Sequence, residues 1–294
     1  MNWILAKETG VVIYITRRLQ WRLRKLLPSA RWTHTLPEGA EIRLFPGSFF
    51  SADIYCTGGY VDWGSEQLML AYLKHRSQRG VCYDVGANMG YYSVLLASTG
   101  RAVFAFEPDE RNHPMLAAQE NPSITVIPKA VGAKSGTVTF ALGSESSVSH
   151  LGPADDETGV RVECTTLDSF RETRPVTEGV EVVKMDIEGF EIDALWGATS
   201  IAAKDRPLFL IEYNIESGRP NSFESLGDFV ATYQYRLFSM IRESRGARFE
   251  TRLREVQALE LPKLDYKMLF LVPSNDEWFA GQVKAGFCFE SIRR

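Results

Sequence analysis

From residue 81 to residue 272 the chain alternates short apolar runs with stretches of helical period. That alternation calls for a parallel sheet covered on both faces, because near-continuous apolar strands need burial on both sides and parallel neighbours need crossover helices. Candidate strands are 81–85, 102–106, 124–130, 181–186, 207–213, 235–240 and 266–272, and the helices between them run over 91–98, 109–120, 190–198 and 222–232. The expected class is a doubly wound α/β fold. One interruption stands out: 136–142 and 161–165 read as an added β pair around a polar loop, 143–158, where a substrate lid would sit.

A length of 294 residues with 45% hydrophobic content supports one catalytic domain plus an N-terminal extension. The boundaries read as a basic extension at 1–36, a β lead-in and helix at 37–80, the catalytic domain at 81–275 and a tail at 276–294. In the extension, Val12, Ile15, Leu19, Leu23 and Leu26 recur at spacings of three and four. On a helix they form one stripe, with Arg17, Arg18, Arg24 and Lys25 roughly opposite and Arg22 at the boundary. Trp21 projects to the polar side. A basic amphipathic helix over 12–26 either packs on the domain or a second subunit, or makes peripheral contact with an anionic membrane. Pro28 and Pro37 bracket a linker, 41–45 and 54–56 read as short β runs, and 67–75 reads as a helix.

The net charge of −4 provides no global attraction for nucleic acid, whose phosphates need a basic face. Cys56, Cys82, Cys164 and Cys288 are widely spaced with no CxxC pair, so neither a zinc site nor a disulfide framework is expected. No run of about 20 apolar residues occurs, and the short apolar stretch at 11–15 precedes its positive charges instead of following them. The expectation is a cytoplasmic protein with reduced thiols. The pattern is silent on oligomeric state.

The chemistry concentrates in two places. Asp84-Val85-Gly86-Ala87-Asn88-Met89-Gly90 closes the first strand and opens an apolar helix. Glycines there let backbone approach a ligand closely, and the helix presents free N–H groups. The dinucleotide fingerprint is missing, since Asn88 stands where its middle glycine would be. Asp84 before the first glycine points to a cofactor with a positive amino-acid end. Glu107 closes the second strand 21 residues after Gly86, where a carboxylate accepts hydrogen bonds from ribose hydroxyls. The second place is Lys184-Met185-Asp186-Ile187-Glu188-Gly189-Phe190-Glu191 at the end of the fourth strand. Acids this close repel one another, so one is protonated or paired with Lys184. Glu188 or Glu191 also suits the start of the following helix.

These stretches, together with Phe106-Glu107-Pro108, Ala130-Val131-Gly132 and Thr166-Leu167-Asp168, resemble the FkbM family of methyltransferases over roughly residues 60–272. The resemblance implies a class I methyltransferase fold, Rossmann-like, with seven strands of which the last is antiparallel. It also implies S-adenosyl-L-methionine as cofactor, and methyl transfer to a hydroxyl of a sugar, glycolipid or other small molecule. By that resemblance Asp84, Gly86, Ala87, Asn88 and Gly90 surround the methionine end, with Asp186 nearby. Glu107 holds the ribose, and Ala130 and Val131 lie at the adenine edge. Met89 stands where the family commonly has a β-branched residue.

Methyl transfer to an alcohol requires a proton acceptor, and the candidates are Asp186, Glu188, His150 in the polar loop and Glu212 at the end of the fifth strand. Asp186, Glu212 and Asn214 also suit a divalent cation, the lesser reading, and no metal ligand is assigned. Two other functions fit part of the pattern. One is a nicotinamide-dependent oxidoreductase, from Gly86, Gly90 and Glu107. The other is a non-catalytic, membrane-associated scaffold of methyltransferase fold.

Overall fold

The computed structural model describes residues 10–24, 26, 32–36, 39–77, 80–141, 150–151, 159–174, 178–213, 222–245 and 248–289. The linker prolines Pro28 and Pro37, Asn214, and the loop 143–158 apart from 150–151 lie outside them. Helix α1 (Val11–Arg24) packs on α2 (Phe49–Thr57), and between them β1 (Trp32–Thr35) and β2 (Glu41–Leu44) form an antiparallel hairpin. α2 replaces the β run expected at 54–56. The Ser48 hydroxyl accepts from the Ser51 N–H at its start, and Gly58, at φ +78°, closes its end. These two caps outweigh the short β-like signal of Ile54-Tyr55-Cys56. Trp21 lies on the charged side of α1, as the pattern places it, but that side faces the domain: it is 2% exposed and packs edge-on against Trp32. α3 (Ser65–His75) begins two residues earlier than the pattern indicated.

The remaining chain runs β3 (Val81–Val85), α4 (Tyr91–Ala97), β4 (Val103–Phe106), α5 (His113–Ala117), β5 (Ile124–Ile127), β6 (Ala130–Val131), β7 (Gly136–Ala141), β8 (His150–Leu151), β9 (Val160–Thr165), α6 (Leu167–Thr173) and β10 (Val180–Met185). It continues with α7 (Glu191–Trp196), α8 (Thr199–Lys204), β11 (Leu208–Glu212), α9 (Ser222–Thr232), β12 (Tyr235–Arg245), β13 (Arg248–Val256), β14 (Met268–Pro273), α10 (Trp278–Lys284) and β15 (Cys288–Phe289). The large sheet has the order β5-β4-β3-β10-β11-β14-β12-β13-β15. β5, β4, β3, β10 and β11 are mutually parallel, whereas β14 is antiparallel to both β11 and β12. This is the class I arrangement in its first seven strands.

Two further strands extend it beyond the seven expected. β12 runs on to Arg245 and pairs with β13 from Leu237↔Val256 to Arg245↔Arg248, and β15 pairs with β13. β13 shows the reason it escaped an apolar-run reading: Thr251, Leu253 and Val256 are buried while Arg252, Arg254 and Glu255 are exposed. Its buried positions are interrupted by charged ones, so no continuous apolar run marks it. The expected run 124–130 divides, β5 staying in the large sheet while β6 joins a second sheet of order β6-β9-β7-β8. The anticipated β pair is its centre, antiparallel from Gly136↔Cys164 to Phe140↔Val160.

Residues of alternate parity along β3, β10, β11 and β14 feed two apolar layers. Cys82, Val182, Leu210 and Phe270 face one that includes α3, α4 and the β1–β2 hairpin. Tyr83, Val183, Phe209 and Leu271 face the other, with α6, α7 and α9. At the amino end of the sheet, Glu181 and Arg101 form a forked pair at 2.6 and 2.9 Å, both side chains 3% exposed. Glu181 also accepts from the Gly80 N–H at 3.0 Å and stands 3.3 Å from Arg76. Removing one charge leaves the other buried without its counterion. Glu181→Gln should lower unfolding free energy by about 3 kcal/mol; a urea midpoint within error of the parent would show that the pair does not matter.

Candidate active site

The carboxyl ends of β3, β4, β10 and β11 converge on a cavity of about 240 Å³. It lies where the chain, having added β4 and β5 on one side of β3, returns to add β10 on the other. In open α/β sheets ligands collect at this switch point. The turn after β3 is set by backbone conformation: Gly86, Asn88 and Gly90 have φ of +77°, +50° and +95°. At Gly86 a Cβ would lie 1.8 Å from the carbonyl oxygen of Asp186, so only glycine lets the ends of β3 and β10 approach this closely. The N–H groups of Gly86 and Ala87 both donate to the Phe106 carbonyl at 3.0 Å, which pins the turn to β4.

Glu107, at the end of β4, is 5% exposed and accepts from the Asn88 N–H at 2.7 Å and the Asp109 N–H at 2.8 Å. Burial pushes its carboxyl up to about 7, against the pull of those two donors. Beside it, Ala130 and Val131 present small apolar surfaces, buried but lining the cavity, and Lys129 lies across the same wall and pairs with Glu163.

At the end of β10 the charges are tightly arranged. The ammonium of Lys184, 3% exposed, lies 3.3 Å from Asp186 Oδ2, 3.7 Å from Asp84 Oδ1 and 3.5 Å from the Gly86 carbonyl, over the ring of Tyr92. Burial alone would lower its pKa, yet Asp186 and Asp84 hold it above the usual lysine range. Asp186 is likewise pulled upward by burial, but Lys184 and a hydrogen bond from Glu212 bring it below the ordinary carboxylate range. Glu212 is driven the opposite way, first by the Asp186 charge and then by burial, and holds its proton well above neutrality. The two carboxyls therefore divide one proton unequally: Asp186 is the anion and Glu212 the acid.

Of the expected cofactor residues, Gly86, Ala87, Asn88, Glu107, Ala130, Val131 and Asp186 line the cavity. Asp84 and Gly90 stand behind it. Asp84 is fully buried, with Oδ2 accepting from Ser93 at 2.6 Å, and Gly90 is the left-handed residue from which α4 starts. Among the candidate bases, Asp186, Glu188 and Glu212 come together, each offering an oxygen within 4.8 Å of the others. His150 is not brought to them by anything described: it sits in β8 opposite Ala141, and its side chain lies outside the described set. Glu191 serves the turn before α7, accepting from the N–H groups of Ile187 and Gly189 at 2.8 and 3.2 Å.

Sequence reasoning missed two contributors. Asp62 reaches the cavity from the loop before α3 and accepts from the Tyr92 hydroxyl at 2.7 Å. Phe50 reaches it from α2, edge-on to Tyr91. Neither belongs to a spaced motif. Lys184 carried a signal, since a lysine inside an apolar strand must be paired when buried.

Comparison with known proteins follows the same lines. The profile described as the methyltransferase FkbM domain matches residues 84–243. Hexuronic acid methyltransferase AglP of Haloferax volcanii is 29% identical over 140 residues, 47% of this chain and 57% of that protein, so the chain spans little more than half the length of this relative. Similar solved structures include methyltransferase FkbM from Methylobacillus flagellatus KT, at 16% identity and TM-score 0.41 over 76% of this chain and 55% of that one. Another is magnesium protoporphyrin IX methyltransferase from Synechocystis PCC 6803, solved with bound SAM, at 12% identity and TM-score 0.39 over 90% of this chain and 97% of that one. The profile match covers more than half of the sequence and replaces the oxidoreductase alternative: this chain belongs to the FkbM methyltransferase family.

Proposed function

We propose that the chain is an S-adenosylmethionine-dependent O-methyltransferase whose acceptor is a hydroxyl of a sugar or glycolipid, and that Asp186 is its general base. The observation that carries the assignment is the unequal pair at the ends of β10 and β11, an ionised Asp186 held by Lys184 beside a protonated Glu212. The sugar reading draws support from the name of the Haloferax relative, a hexuronic acid methyltransferase.

The cavity suits this cofactor. The backbone of Gly86, Ala87 and Asn88 lines the cavity and offers the wall for the methionine end. Glu107 offers its remaining lone pairs to the ribose diol, and Ala130 and Val131 form a slot for a flat base. Asp84 acts from behind, fixing Lys184 and, through Ser93, α4. When bound, the cofactor supplies an electrophilic methyl on a sulfonium, whose C–S pair stays on sulfur as the acceptor oxygen forms the new O–C bond. Asp186 takes the hydroxyl proton, and Lys184 keeps it ionised until then. Glu212 is spent as an acceptor because it already carries a proton. Asp186, Glu188 and Glu212 also form an oxygen set of the kind a hard cation takes. Lys184 already supplies positive charge there, which favours the metal-free reading.

Incubation with labelled cofactor and a glycan or glycolipid extract, in the presence of EDTA, should yield a base-stable methyl ether. No product from any extract would favour the scaffold reading, and activity restored only by a divalent cation would reassign the acidic cluster. Asp186→Asn should lower kcat roughly 10²- to 10⁴-fold while S-adenosylhomocysteine still binds, with Glu212→Gln much milder. Equal losses would move the base to the pair. Ribose hydroxyls donate to the ionised form of Glu107, whose carboxyl in the free protein lies near 7. Affinity for S-adenosylhomocysteine should therefore be level above that pH and weaken about tenfold per unit below it. Titration calorimetry giving a flat profile for the parent, or the same slope for Glu107→Gln, would remove Glu107 from the ribose.

A further inference from the structure

α1 is held to the domain by the face on which its cations lie. Tyr14 and Trp21 are buried, and Trp21 packs on Trp32 and Tyr55. Arg17 donates to the Cys56 carbonyl at 3.2 Å, Arg18 pairs with Asp53 at 3.8 Å, and Arg24 lies over the rings of Trp32 and Tyr55. The apolar stripe read from the sequence points the other way. Val12, Leu19 and Leu23 are 78%, 55% and 65% exposed, and Leu26, beyond the helix end, is 76% exposed. At 3.6 residues per turn the three helical positions fall within about 40° of arc. Contiguous apolar surface of this kind on a folded domain marks an interaction face.

The charge pattern selects the occupant. α1 contains Arg17, Arg18, Arg22 and Arg24 and no acidic residue, in a chain whose net charge is −4. Arg22 is exposed, beside the stripe and in the last turn. Arg17, Arg18 and Arg24 are engaged with the domain, so Arg22 is the cation that flanks the stripe, and a second copy docked through the same face would offer it no carboxylate from α1. An anionic lipid surface answers both features, taking the aliphatic side chains into its acyl boundary and the Arg22 guanidinium at its phosphates. We propose that the outward face of α1 docks on an anionic bilayer, the helix lying in the plane of the interface. α1 packs on α2, and α2 carries Phe50 in the wall of the cavity, so the docking face and the cavity are one helix apart. The inference does not depend on which acceptor the cavity takes.

Co-sedimentation of the full chain with phosphatidylcholine vesicles containing about one-third phosphatidylglycerol tests it. The parent should pellet with these vesicles and remain in solution with phosphatidylcholine alone. The double variant Leu19→Glu/Leu23→Glu should partition about tenfold less, and Arg22→Glu should weaken binding and flatten its salt dependence. Both alter exposed positions, and calorimetric binding of S-adenosylhomocysteine at parent affinity establishes that they are folded. A parent that stays in solution with anionic vesicles, or a double variant that pellets equally, overturns the proposal. So does sedimentation equilibrium in which the parent is a dimer and the double variant a monomer, since the face would then belong to a second copy.

Discussion

The buried ammonium of Lys184 joins what would otherwise be incompatible. Two carboxylates, the buried Asp84 and the cavity-lining Asp186, end neighbouring strands of one sheet, 3.7 and 3.3 Å from the same ammonium. Without a counter-charge they would repel, or take up protons at neutral pH, and the strand ends would separate. With it, one ion offsets the charge of two acids and donates to Asp186 and the Gly86 carbonyl. Asp186 becomes the carboxylate that stays charged, and its neighbour Glu212 is forced to stay neutral. Fold and reactivity at this end of the sheet therefore have one electrostatic origin.

The parts of this arrangement that were legible in the sequence are those with a period or a spacing. Apolar runs located all seven strands of the class I order, because strands covered on both faces leave no polar alternation to confuse them. The turn at 84–90 and Glu107 were readable because close backbone approach needs glycine and a carboxylate at the end of an apolar strand stands out from the run before it. β13 was not, because half of its residues face water. α2 was not, because its stability comes from Ser48 and Gly58 at its ends and not from periodicity.

The site was legible to the same extent and for the same reason. Asp186 and Glu212 were within reach as strand-end acids, but which of them carries the proton depends on Lys184, a contact made across two strands. Asp62 and Phe50 come from outside the profile match and reach the cavity by tertiary folding alone. Helix α1 is the instructive case: its periodicity located the stripe correctly, yet periodicity is silent on which side a domain will cover. Here the aromatic residues on the charged side, Tyr14 and Trp21, determined the packing.

The contact between Gly86 and the Asp186 carbonyl has a mechanical consequence. It is made by main-chain atoms on both sides, so no change of side chain at 186 can loosen it. The loop after β3 and the end of β10 are thus geared together. A displacement of either is passed to its neighbour without slack, so the two strand ends shift together or not at all. The walls supplied by α2 and the loop before α3 reach the cavity through side chains, Phe50 and Asp62, and can change shape by substitution alone.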